Sequence, residues 1–172
     1  KNGWFRPANY TGPKQSTDWN FTITTDDDRV SAFAAIYKAL INFFYNQNAI
    51  TNNLTHLKNK LVIAVAWNKW HEDYAAWFTP LLRVFPNVLR TDMKVYGKYS
   101  SDVYYLRSTI TRSVSHELGH ASHWQTVINT KGAGRVTDYL LAEKQMYESY
   151  ARTVEFYLTS LLYDKQDVSE WI

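Results

Sequence analysis

Residues 108–128 read STITRSVSHELGHASHWQTVI and contain an apolar pattern typical of a helix. The apolar positions recur at intervals of three or four residues: Ile110, Val114, Leu118 and Ala121. This interval places them on one face of a helix, because an α-helix has 3.6 residues per turn. The pattern predicts a helix over 108–128 that packs its apolar face on a core.

The same stretch holds the motif HELGH at residues 116–120. On a helix, His116 and His120 project from one face about 6 Å apart, so both imidazoles can reach one tetrahedral Zn²⁺ ion. Glu117 stands beside His116 and can take a proton from water at the open position of the metal. The motif predicts one zinc ion with His116 and His120 as ligands and Glu117 as general base. The alternative is a set of solvated polar positions on an amphipathic helix.

A zinc site with two histidines needs a third protein ligand, and the chain has no cysteine to supply it. His123 lies one turn beyond His120, but a single helix cannot easily aim three rings at one ion. The other candidates are carboxylates in the predicted last helix, which Thr137 or Asp138 can cap and which extends to about Tyr163. They are Asp138, Glu143, Glu148 and Glu155.

Two of these acids share a helical face, because Glu148, Ala151 and Glu155 are spaced three and four residues apart. The small Ala151 between them allows this helix to approach the histidine helix closely, as ligation requires. Glu155 can then accept the N–H of a ligating histidine, which fixes the tautomer of the ring. Ser113 or Asp138 can do the same, and the alternative for Glu155 is a solvated acid.

The HELGH motif followed by a glutamate on a second helix resembles the gluzincin class of zinc metallopeptidases. The stretch ESYARTVEFY at residues 148–157 is similar to the E-x-x-A helix of the lethal factor and Mlc titration factor families. The resemblance implies that Glu148 is the third ligand and that Glu155 partners a ligating histidine. Ser149 stands where the family pattern has an aromatic residue. The likeness covers residues 109–163.

The resemblance also implies a side chain that stabilises the oxyanion formed during peptide hydrolysis. In lethal factor-like enzymes, this donor is a tyrosine shortly before the third ligand. Leu141 occupies the matching position, so Tyr139 is the nearest candidate. Tyr147 and His123 are the alternatives.

The first part of the chain predicts one helix and a small sheet. Acids at 26–28 before an Ala/Leu/Phe run predict a helix near 28–46. The apolar run 61–66 predicts a central strand, and the segment 70–78 is interpreted as helical. Alternation over 93–96 predicts a second strand near a sheet edge, and 103–106 predicts a short third one.

Composition limits the function classes. The chain of 172 residues is 45% apolar and 20% charged, which fits a single globular domain. A net charge of +3 is too small to indicate a nucleic-acid partner. No apolar run reaches the length of about 18 residues that a membrane helix needs. The chain begins at Lys1, so we expect a mature or trimmed protein from an extracellular, periplasmic or cell-surface location.

Together these observations predict an α+β, zincin-like fold in a single domain over 1–172. A strand-and-helix part at 1–107 precedes metal-binding helices at 108–172, and a small mixed sheet packs on the HExxH helix. We expect a zinc-dependent peptidase acting on a peptide or protein substrate. The alternative is a non-catalytic zincin-like module that keeps the metal and binds protein or glycan. The sequence does not indicate an oligomeric state.

Overall fold

The computed structural model describes residues 28–45, 61–79, 92–131 and 144–160. Within these ranges the chain forms three helices and one three-stranded sheet. The helices are α1 (Asp28–Tyr45), α2 (Arg107–Lys131) and α3 (Lys144–Ser160), and the strands are β1 (Ile63–Trp70), β2 (Ala76–Phe78) and β3 (Met93–Lys98). This is an α+β arrangement, as the sequence predicts.

The sheet is mixed, with the strand order β1-β3-β2. β1 runs parallel to β3 from the pair Ile63–Met93 onward, and β2 runs antiparallel to β3. Asp92 fixes the start of β3, because its carboxylate accepts the N–H of Val62 at 2.8 Å and its own N–H donates to the Val62 carbonyl. Both strand placements predicted from the sequence are wrong: β3, predicted near an edge, is the central strand, and β1, predicted to be central, is an edge strand of the described sheet.

The prediction of a helix over 70–78 is also wrong. Residues 76–78 form β2, whose burial alternates: Ala76 and Phe78 are 1% and 4% exposed and Trp77 is 45% exposed. Pairing with β3 satisfies the backbone of this segment and overrides its local helical tendency. The predicted strand at 103–106 is reduced to a single bridge between Tyr104 and Lys98.

The predicted helices at 28–46 and 108–128 are confirmed by α1 and α2. Helix α2 lies between α1 and α3 and also contacts the sheet. Its predicted apolar face is buried, because Ile110, Val114, Leu118 and Ala121 are at most 1% exposed. The main core joins this face to apolar residues of the sheet and the flanking helices, among them Phe43, Val95 and Leu158.

The described part of the last helix is α3, and the predicted ends near Thr137 and Tyr163 lie outside the described residues, as do Tyr139, Asp138 and Glu143. α3 packs on α2 mainly through buried small and apolar residues such as Ala151, Val154 and Leu158.

None of the helices in the described ranges is long and apolar enough to cross a membrane.

Candidate metal centre

Helix α2 presents two imidazoles side by side. His116 and His120 are one turn apart, and their ring centroids are 4.7 Å apart with the planes nearly perpendicular. The two Nε2 atoms are 3.1 Å apart. The i, i+4 spacing of the motif therefore converges two nitrogen donors on one point, as the sequence predicts.

Helix α3 brings a carboxylate to the same point. Glu148 Oε2 lies 3.2 Å from His116 Nε2 and 3.6 Å from His120 Nε2. The three atoms form a nearly equilateral triangle, although they come from two helices. Of the third-ligand candidates in the described residues, Glu148 is the one that the structure brings to both histidines.

Gly119 permits the close approach of the two helices. A methyl group at this position would lie 2.7 Å from Cα of Ala151, 3.2 Å from its carbonyl oxygen and 3.1 Å from Cβ of Val154. Two of these three contacts are to backbone atoms of α3, so the helix would have to move away to accommodate a side chain. The absence of a side chain at Gly119 thus allows α3 to pack closely enough for Glu148 to reach the histidines.

Glu155 occupies the other side of His116. Its Oε2 accepts a hydrogen bond from His116 Nδ1 at 2.8 Å, and its Oε1 accepts one from Arg112 Nε. A proton on Nδ1 leaves the Nε2 lone pair of His116 directed at Glu148 and His120. Glu155 is only 3% exposed, so it is a buried partner of the histidine.

The pKa values of His116 and Glu155 are both shifted by their surroundings. Burial disfavours the charged imidazole, but the hydrogen bond to Glu155 and the nearby charges of Glu117, Glu155 and Glu148 outweigh it and raise the pKa of His116. Burial likewise opposes ionisation of Glu155, but hydrogen bonds from His116 and Arg112 lower its pKa. The pair therefore favours a carboxylate on Glu155.

Glu117 projects towards the sheet. Its Oε2 accepts a 2.8 Å hydrogen bond from the backbone N–H of Phe78, and the residue is 8% exposed. Burial raises the pKa of Glu117 to about 7, even though His116 and the Phe78 N–H act in the opposite direction. A carboxyl group with a pKa near neutrality can both accept and release a proton at physiological pH.

His120 is the more strongly buried of the two motif histidines. Burial lowers the pKa of His120 to about 3, and the nearby His116 and His123 add to the effect. Its imidazole is therefore neutral, which is the form that binds metals. His123 itself stacks on Tyr150 with centroids 5.0 Å apart, and burial lowers its pKa as well.

The donor atoms fit a zinc ion. With Zn–N and Zn–O distances of about 2.0–2.1 Å, neighbouring donors in a tetrahedral site are about 3.3 Å apart. The distances among His116, His120 and Glu148 are 3.1, 3.2 and 3.6 Å. Ligating atoms of His116, Glu117 and His120 also lie within 4.8 Å of one another. The approach of Glu148 Oε2 to both histidines and the hydrogen bond that Glu117 accepts from Phe78 favour Glu148 as the ligand.

An open cleft of 410 Å³ gives access to these groups. Its lining residues come from the β2 segment, α2 and α3: Tyr74, Ala76, Trp77, Phe78, His116, Glu117, His120, Lys144, Tyr147 and Glu148. The triangle of donors and the Glu117 carboxylate thus face a space in which a substrate can bind.

The sequence analysis did not identify the residues of the β2 segment that line this cleft. Tyr74, Trp77 and Phe78 fall in the segment interpreted as helical. The sequence gives no strand signal there, because residues 76–78 are all apolar and their alternation in burial is seen only in the structure. Of the predicted oxyanion donors, Tyr147 lines the cleft with its ring 5.6 Å from His120. Tyr139 lies outside the described residues.

The chain was compared with protein-family models, with curated proteins and with solved structures, and none of the three comparisons finds a match.

Proposed function

We propose that this chain is a zinc-dependent peptidase of the gluzincin class. His116, His120 and Glu148 hold the zinc ion, and Glu117 is the general base. One observation carries the proposal: three donor atoms lie 3.1–3.6 Å apart at a cleft whose floor also presents the Glu117 carboxylate. In a structural zinc site protein ligands fill all four positions, whereas these three leave one open to the cleft.

The residues divide the chemistry of hydrolysis among them. A bound zinc ion would supply Lewis acidity that activates water and polarises the substrate carbonyl. Glu117 accepts the proton of the attacking water and passes it to the leaving amine. The N–H of Phe78 orients the Glu117 carboxylate. Because a nearby cation favours the ionised form of a carboxyl group, zinc would also keep Glu117 ready to act as a base.

The edge of the sheet favours a peptide substrate. The carbonyl of Ala75 and the N–H of Thr79 bond to β3, so antiparallel alternation directs the polar backbone groups of Ala76 and Phe78 to the outer edge of β2. This edge faces the site, since the Phe78 N–H meets Glu117. An extended peptide can add to such an edge as a further strand.

A phenol is the expected second donor to the oxyanion. Tyr139 is the candidate that the family resemblance implies, and Tyr147 and Tyr74 line the cleft. Burial raises the pKa of Tyr74, and electrostatic interactions with Tyr96, Asp73 and Glu117 add to the shift, so its phenol stays protonated and able to donate.

Zinc analysis combined with a cleavage assay tests the proposal. The wild type and Glu117→Gln should both hold one zinc per chain, while Glu117→Gln loses activity on a mixed peptide library by about a thousandfold. Glu148→Ala should bind zinc more than about a hundredfold more weakly, because a direct ligand contributes more than a residue behind one. Glu72→Gln, an exposed glutamate outside the cleft, is the matched control and should change neither property.

The outcomes separate the candidate functions. Full zinc binding by Glu148→Ala would refute the ligand assignment. Stoichiometric zinc in the wild type without cleavage of any peptide would refute the peptidase and favour the non-catalytic binding module.

A further inference from the structure

The walls of the cleft outside the metal donors are aromatic on both sides. Tyr74 and Trp77 stand on the β2 side with ring centroids 6.2 Å apart, and Tyr147 stands on the α3 side. Tyr74 is held in place from behind by His71, whose ring stacks on it at 3.5 Å. The cleft therefore offers preformed apolar surfaces next to the reacting groups.

Trp77 is the most unusual of these rings. Its neighbours Ala76 and Phe78 are buried in the core, whereas Trp77 is 45% exposed. A large aromatic side chain held half-exposed on an edge strand can bury further area against a ligand at little cost in side-chain entropy. Its position in the cleft wall makes that ligand a side chain of the bound peptide.

Among the described residues that line the cleft, the charge left to meet a substrate is positive. Glu117 and Glu148 are the carboxylates that line the described cleft, and both serve the proposed reaction. Lys144 lines the opposite wall, and Lys94 Nζ lies 5.9 Å from the centroid of Trp77. The acids of the preceding loop, at residues 72–73, are not among the lining residues.

From these walls we propose that the cleft selects peptide segments in which an aromatic or large apolar side chain stands next to an acidic one. The aromatic side chain packs on Trp77 and Tyr74, and the carboxylate pairs with Lys144. The inference rests on the proposed function, because it takes the ligand to be a peptide bound along β2.

Binding to a zinc-loaded but inactive protein tests this preference without depending on catalysis. The Glu117→Gln protein is titrated with four short fluorescent peptides that differ at two central positions, Phe or Ala and Glu or Lys. We expect the Phe peptides to bind about tenfold more tightly than the Ala peptides. We expect Glu to be preferred over Lys by about fivefold, with the preference weakening at high salt.

Second substitutions in the same protein assign each preference to a residue. Trp77→Ala, or Trp77→Leu as a variant that keeps apolar bulk on the strand, should remove the preference for Phe. Lys144→Glu should reverse the preference for Glu. Trp70→Ala and Lys69→Glu are the matched controls, because both residues are exposed on β1 and outside the cleft lining, and they should leave both preferences intact.

The results separate this inference from the proposed function. Equal binding of the four peptides, no measurable binding, or a Phe preference that survives both Trp77 variants would overturn the inference. The same peptides incubated with the wild type report catalysis. Preferential binding without cleavage would refute the peptidase but support the selectivity of the cleft, whereas cleavage without preference would do the reverse.

Discussion

Helix α2 is buried on two sides that are built differently. Towards α1 and the sheet it presents Val114 and Leu118, both fully buried in an apolar core. Towards α3 it presents Gly119 and the two motif histidines, which meet carboxylates. The first side is held by the hydrophobic effect, whereas the second combines apolar contacts with a close backbone approach that brings charged groups together.

The difference shows how the molecule combines stability with reactivity. Apolar burial on the first side stabilises the fold without regard to metal or pH. On the second side Glu155 and Glu117 are 3% and 8% exposed, and burying carboxylates costs free energy unless partners compensate. A bound cation would supply part of that compensation. The apolar side should therefore respond to changes in volume, and the polar side to charge, metal and pH.

The largest expected effect is on the apolar side. Leu118→Ala should lower the free energy of unfolding by about 2–5 kcal/mol, because it leaves a cavity in a fully packed core. Zinc affinity of the folded variant should stay within about threefold of wild type. Urea unfolding and zinc titration measure the two quantities. Leu106→Ala, at a position that is 72% exposed, is the control. A parallel fall in zinc affinity would show that the two sides are not separable.

Next in size is an effect of charge on the polar side. Glu117→Gln should stabilise the metal-free protein by up to about 3 kcal/mol above pH 7, because a pKa raised from 4.5 to about 7 marks a carboxylate that the folded state disfavours. Between pH 4.5 and about pH 7, the folded wild type binds more protons than the unfolded chain. Its stability therefore rises as the pH falls, and the advantage of the variant disappears near pH 4.5.

Urea unfolding in the presence of a chelator, at pH 4.5 and above pH 7, measures the difference in stability between Glu117→Gln and wild type. Glu72→Gln is the control, because Glu72 is exposed. An equal stability of Glu117→Gln and wild type above pH 7 would contradict the assignment of Glu117 as a group whose charge opposes folding.

A smaller effect is expected where the helices touch. Gly119→Ala should lower stability by about 1–3 kcal/mol, despite the gain of about 1 kcal/mol from helix propensity, because the new Cβ meets the backbone of α3. Zinc affinity should fall as Glu148 moves away with α3. Adding Ala151→Gly should not restore either property, since the closest contact is with Cα of Ala151. If Ala151→Gly restored stability, the clash would lie with the side chain of Ala151 and not with its backbone.

The smallest expected effect concerns the carboxylate behind His116. Glu155→Gln should weaken zinc binding by about 10–100-fold, as measured by competition with a chelator. The amide oxygen can still accept from His116 Nδ1, but the amide NH2 cannot accept from Arg112 Nε, so the loss combines the charge of Glu155 with its bond to Arg112. Because the pKa of Glu155 is lowered, its stabilising contribution in the metal-free protein is present above pH 4.5 and is lost as the pH falls below that value. Unchanged zinc affinity would show that Glu155 has no influence on the metal site.

Local patterns in the sequence predicted much of the helical part. The interval of three or four residues gave the buried face of α2, and the spacing of HELGH placed His116 and His120 side by side. The same spacing rule put Glu148 and Glu155 on one face of the last helix. These relations hold because each depends only on the geometry of a single helix.

Relations between elements could not be predicted in this way. The segment 70–78 became a strand because β3 offered its backbone a partner, and β3 became the central strand because β2 covered its second edge. Neither pairing has a signal within the segment itself, since strand pairing depends on contacts between distant residues.

The sequence by itself thus determined which residue types are present for metal chemistry and which faces of the helices they share. Only the tertiary structure decided that Glu148 approaches both histidines, that Glu155 partners His116 and that Phe78 orients Glu117. The physical reason is that donor distances of about 3.3 Å depend on how closely two helices pack. In this chain that packing distance is set by Gly119 against the backbone of Ala151.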